Sequence, residues 1–119
     1  MKYYTIITFF YMLFIVYLSH IPQDNLPQEP SGINNIDLLF HFFEYSFLGF
    51  LFYQSISVDN LLDVKPLHGA VLIGILFALS DEYHQSFVPG RHMSLIDIIF
   101  DSLGILFGSS LAPRVSNSS

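Results

Sequence analysis

Four apolar runs alternate with short polar stretches along the chain. They cover about residues 3–18, 36–56, 67–85 and 95–111, and each is bounded by Pro, Gly, Ser, Asn or charged residues. The first would measure about 24 Å as a helix at ~1.5 Å per residue, short but adequate to cross a bilayer. The pattern therefore predicts an all-α membrane protein, a four-transmembrane-helix bundle with short loops, folded as one domain over 1–114. Ser19 to Asn35 holds three prolines and Gly32, and reads as a loop. Pro66 suits the first turn of the third helix, Ser94 the N-cap of the fourth, and Pro89-Gly90 a tight reversal between them. Pro113 is expected to end the last helix, with a disordered Ser-rich tail over 115–119. Lys2 followed by Tyr3 to Leu18 also fits a signal peptide, but the run is long and aromatic and no small-x-small site precedes Pro22. A retained first span is the expectation.

The polar exceptions inside these runs are regularly spaced. Asp37, His41 and Glu44 lie four and three apart in the second run, with Tyr45 beside them and Gly49 further along. Gly74, Ala78, Asp81 and Gln85 make a similar stripe in the third, and Asp97, Asp101, Gly104 and Gly108 in the fourth. Such spacing puts each set on one helical face. A charge at membrane depth costs at least ~2.5 kcal/mol on the most lenient insertion scale, so these groups are expected to face one another or a wet cavity. With four crossings, the polar start of the second helix, the polar end of the third and the polar start of the fourth share one side. The expected result is a shallow polar cup built from Asp37, His41, Glu44, Tyr45, Asp81, Glu82, Gln85, Asp97 and Asp101, with Arg91 over its mouth. The glycines lie deeper, where small residues let helices approach closely, and the first helix is a flank.

Composition agrees: hydrophobic residues make up 52% and charged residues 12%, about half the usual share for a globular domain. Cysteine is absent, which excludes disulfides and thiolate metal sites. Four scattered Lys and Arg give no basic patch, so nucleic acid is excluded as a partner. Lys2, Lys65 and Arg114 fall on one side of the four crossings and Arg91 on the other. The positive-inside rule then places both termini in the cytoplasm and the cup outside.

The chemistry of the cup stays open at this stage. The acids, with Arg91 and protonated histidines, can pair internally and simply hold the bundle together. His41, Asp81, Glu82, His84 and Asp97 are also suitable donors for a divalent metal, although no metal-specific spacing such as HExxH is present. Arg91 matches a phosphate at headgroup depth equally well as it matches Asp81 or Asp97. His20, His68 and His92 read as loop or interface residues.

Asp81-Glu82-Tyr83-His84-Gln85, Phe87-Val88-Pro89-Gly90-Arg91, and Asp97 with Gly104 resemble the VanZ-like family of small bacterial membrane proteins. Leu18-Ser19 to Pro22 and the Asp37, His41, Tyr45 series extend the resemblance over most of the chain. Two positions depart from it: Leu38 stands where the family often has Lys, and Asp101 where it often has Asn. The resemblance implies a multipass protein of the bacterial cytoplasmic membrane, related to proteins linked with low-level resistance to teicoplanin-type glycopeptides. It supplies no mechanism, no cofactor and no catalytic residue. Three functions fit: binding a lipid-linked envelope precursor or a lipoglycopeptide in the bilayer, membrane-embedded and metal-assisted hydrolysis or transfer on a lipid headgroup, or a purely structural membrane subunit.

Overall fold

The computed structural model describes residues 2–19, 35–88 and 95–117, with the backbone alone at 35–37 and 114–117. Four helices account for nearly all of them: α1 (Tyr3–Ser19), α2 (Asn35–Ser57), α3 (Pro66–Gln85) and α4 (Leu95–Asn117). No strand occurs among the described residues. The apolar runs thus became helices within a residue or two of their expected limits, except at the end of α4. That helix passes through Pro113 and reaches Asn117. A proline removes one N–H and crowds the carbonyl four residues back, yet its fixed φ near −65° is itself helical, so the last turns can continue beyond it. Pro66 occupies the first turn of α3, where its missing N–H costs nothing.

Contacts between helices define an up-and-down bundle. Thr5 meets Asp59 and Thr8 meets Ser55, so α1 runs antiparallel to α2. Tyr45 reaches Asp81, and Ile56 lies against Gly69, so α3 reverses α2 again. His41 meets Asp101 and Ser46 meets Gly108, so α4 runs parallel to α2. The α2–α4 seam is the tightest. A Cβ added at Gly49 would lie 2.5 Å from the Ile105 carbonyl oxygen, and one at Gly104 or Gly108 would strike the backbone of Phe42 or Ser46. Only the absence of side chains permits these helices to approach so closely. Gly104 and Gly108 therefore pack inside the bundle, as their place on the Asp97 and Asp101 stripe suggested. Ile105 is fully buried at the centre, its backbone against Gly49 and its side chain against Gly74.

Polarity is distributed opposite to that of a water-soluble bundle. Large apolar side chains stand exposed on all four helices, among them Tyr17 (68%), Phe40 (66%), Leu72 (62%) and Leu95 (72%). Asp81, Glu82, Gln85, Asp101, Gln54, Ser55 and Ser109 are buried. Monomeric soluble proteins rarely expose so much contiguous apolar surface. Among the described residues one helix, at Leu95–Pro113, is by length and composition long and apolar enough to cross a membrane, and α1 is an apolar helix of somewhat lesser length.

The end of the bundle away from the acids has its own polar joint. Asp59, in the link after α2, accepts hydrogen bonds at Oδ2 from the Thr5 amide (2.7 Å) and the Thr5 hydroxyl (3.0 Å). A first-turn amide has no partner within its own helix, and the positive end of the helix dipole favours a carboxylate there. Asn60 follows with φ 57°, the left-handed conformation that Asn tolerates better than most residues, and this turns the chain toward α3.

Candidate functional site

Asp81 is one turn from the end of α3, Asp101 and His41 each lie six residues inside the start of α4 and α2, and Ser19 is the last residue of α1. At ~1.5 Å per residue these depths are about 6 to 9 Å, and the antiparallel order brings all of them to one end of the bundle. Two hydrogen-bonded groups result. In the first, Ser19 Oγ donates to Asp81 Oδ2 at 2.7 Å and Tyr45 OH donates to the same oxygen at 3.1 Å. Three helices thereby meet at one carboxylate oxygen. In the second, His41 Nδ1 lies 2.7 Å from Asp101 Oδ1. An ionised carboxylate only accepts, so the His41 ring donates an Nδ1 proton to Asp101.

Beside this pair a ring nitrogen of His41 and one carboxylate oxygen each from Glu82 and Asp97 lie within 4.8 Å of one another. Glu82 is fully buried and Asp97 half-buried. Asp81 and Asp97 are both near enough to Asp101 to act on its carboxylate electrostatically. The arrangement concentrates oxygen donors and one imidazole from α2, α3 and α4, which is a donor set able to hold a cation, a hydroxyl or an amino group.

His41, Tyr45, Asp81, Glu82, Gln85 and Asp101 are buried at this end. Glu44 is half-buried on the α1 side, where its backbone carbonyl accepts a 2.8 Å hydrogen bond from Tyr11 OH. Of the five metal-donor candidates, His41, Glu82 and Asp97 converge, whereas Asp81 is engaged with Ser19 and Tyr45. His84 is exposed, its Nδ1 2.7 Å from the Ser80 carbonyl of its own helix. His68 is also exposed. Arg91, with Pro89, Gly90, His92, Ser94 and His20, lies outside the described residues, as does the side chain of Asp37.

Ser19 is the participant that residue-type reasoning passed over. The first helix is more than a flank, because its C-terminal hydroxyl is part of the polar end. The available signal was the Leu18-Ser19 to Pro22 segment.

A family model for VanZ/LLP1 matches residues 4–116, nearly the whole chain. The chain belongs to the VanZ/LLP1 family. No curated protein and no solved structure matched it. Membership agrees with a teicoplanin-resistance-like protein of the cell envelope, and VanZ proteins are typically membrane-associated. In this VanZ-family chain the motif residues Asp81, Glu82, Gln85 and Asp97 come from two different helices yet occupy one end of the fold, so the sequence motif corresponds to a spatial cluster.

Proposed function

We propose that this VanZ-family chain is a four-span protein of the bacterial cytoplasmic membrane whose polar end opens toward the outer leaflet and binds a lipid-linked or lipid-tailed envelope molecule. One observation carries the reading: buried carboxylates and an imidazole from three helices converge at one end of a bundle whose outside is apolar. In hydrocarbon such a cluster is costly unless it is matched by partners, and at headgroup depth a ligand's amino, hydroxyl or cation-bridged phosphate groups provide them. The ligand's acyl chain would lie against the exposed Phe, Leu and Tyr side chains of the helices. The single Arg91 on one side against Lys2, Lys65 and Arg114 on the other supports cytoplasmic termini and an outward site.

The test is binding of teicoplanin, which carries a lipid tail, and of an untailed glycopeptide to the full chain in lipid nanodiscs. Tailed ligand should bind the wild-type protein at least tenfold more tightly than Glu82→Gln, with normal expression of the variant. Equal binding by both would refute the reading, and loss of folding in every cup variant would favour a structural subunit. Because the chain has no cysteine, single cysteines at Gln28 and Asp63 report topology directly. Gln28 should label from outside whole protoplasts and Asp63 only after permeabilisation. A hydrolase or transferase acting on a lipid headgroup is the second reading, favoured by the His41, Glu82 and Asp97 convergence. It requires a protein-dependent change in extracted lipids that Glu82→Gln abolishes.

A further inference from the structure

We infer that His41, Glu82 and Asp97 form a divalent-cation site of the zinc and manganese class, with Asp101 as the residue that positions His41. The inference rests on the reading of this end as a binding site, and it names the cation that the site takes. Three atoms no farther than 4.8 Å apart fit within a circle whose radius is at most 4.8 Å divided by the square root of three, about 2.8 Å. Zinc bonds to nitrogen and oxygen are ~2.0–2.2 Å, so an ion at the centre needs the three ligands to draw inward by about 0.8 Å at most, a side-chain adjustment without helix movement.

A gathering of acids alone would carry no such claim. Two features separate this one. First, the imidazole is presented the way metal-ligating histidines are: its Nδ1 is engaged by a buried carboxylate, Asp101 Oδ1 at 2.7 Å, so the other ring nitrogen is the one that would bind a cation. Second, Asp101 is 0% exposed, and its Oδ2 has no hydrogen-bond partner among the described residues. A buried carboxylate oxygen is costly to leave unsatisfied, and a cation or its bound water beside His41 supplies the missing partner. An imidazole with two carboxylates suits zinc or manganese better than magnesium or calcium, which take oxygen almost exclusively. Three protein ligands leave a coordination position for water or for an oxygen of a bound headgroup.

The experiment uses the untagged full chain in detergent, stripped with chelator and dialysed against Zn²⁺, Mn²⁺ or Mg²⁺, with metal content and affinity measured. One Zn²⁺ or Mn²⁺ per chain is expected, with affinity falling about 10- to 100-fold in Asp101→Asn and further in Glu82→Gln and Asp97→Asn. Replacement by Co²⁺ in the wild-type protein should give visible absorption bands of four- or five-coordinate cobalt, a readout that needs no variant to fold. The inference is overturned if no stoichiometric metal binds, if Mg²⁺ competes equally, or if binding survives Glu82→Gln and Asp97→Asn. Should metal fail to bind while Glu82→Gln still abolishes binding of the tailed ligand, the cation is wrong and the binding site stands.

Discussion

Ser19, at the last position of α1, donates its hydroxyl to Asp81 near the end of α3, 62 residues later, at 2.7 Å. The bond ties the first helix to the polar end of the other three, and both partners are buried. Ser19→Ala removes one of the donors to that carboxylate oxygen. A hydrogen bond to a buried charge is worth about 1.5–3 kcal/mol, so thermal unfolding in detergent should shift downward by several degrees. Tyr45→Phe removes the second donor and should cost a similar amount. Because both groups serve one oxygen, the double variant should depart from additivity by more than ~0.5 kcal/mol. Additive effects would mean that the two bonds act separately.

The glycines along the α2–α4 seam should not be interchangeable with those elsewhere. A Cβ at Gly49, Gly104 or Gly108 meets backbone atoms of the facing helix, whereas at Gly69 it meets the ends of the Ile56 and Val64 side chains. Backbone cannot move aside without separating the helices, and forced overpacking costs about 1–3 kcal/mol or more. Gly108→Ala should therefore lower the thermal midpoint strongly and reduce accumulation in the membrane, while Gly69→Ala should be mild because side chains can rotate and alanine favours helix. Equal losses at the two positions would show that the seam is looser than it stands here.

Much of this was legible beforehand, for physical reasons that differ between residues. His41, Asp81, Asp97 and Asp101 stand out because a charge within an apolar run has few stable placements, and four helices of alternating direction put these four at one end. Gly104 and Gly108 were readable because they continue the same stripe. Ser19 was not, since a serine at a helix end is compatible with water, a cap or a buried partner, and only the packing of α1 against α3 selects among them. The Asp59 to Thr5 joint was hidden similarly, because a carboxylate in a polar link gives no sign of which helix start it will cap. The continuation of α4 past Pro113 reflects a balance between one lost hydrogen bond and an otherwise helical φ, which the residue type alone does not decide.

The Asp59 joint gives a prediction that separates the two ends of the bundle. Asp59→Ala leaves the Thr5 amide and hydroxyl without their carboxylate, and caps of this kind are worth about 0.5–2 kcal/mol. The variant should melt a few degrees lower by a thermal-shift assay in detergent. Its binding of teicoplanin and of metal should match wild type, because the joint lies at the opposite end from His41 and Asp101. A change in either binding property would indicate that the bundle transmits strain along α2.

Asp101 distinguishes packing from chemistry at the polar end of the bundle. Asp101→Asn keeps the shape and an oxygen able to accept from His41 Nδ1 while removing a buried charge. The amide keeps the His41 bond and relieves the desolvation cost of a buried charge, so the thermal midpoint should hold or rise in metal-free protein. Asp101→Ala instead leaves the His41 N–H buried with its acceptor gone, at a cost of about 1–3 kcal/mol. The two variants should thus differ in stability yet agree in weakened Zn²⁺ binding, since neither presents a negatively charged acceptor to raise the basicity of the His41 ring. If Asp101→Asn bound Zn²⁺ as tightly as wild type, the charge of the carboxylate would have no part in tuning His41 as a ligand.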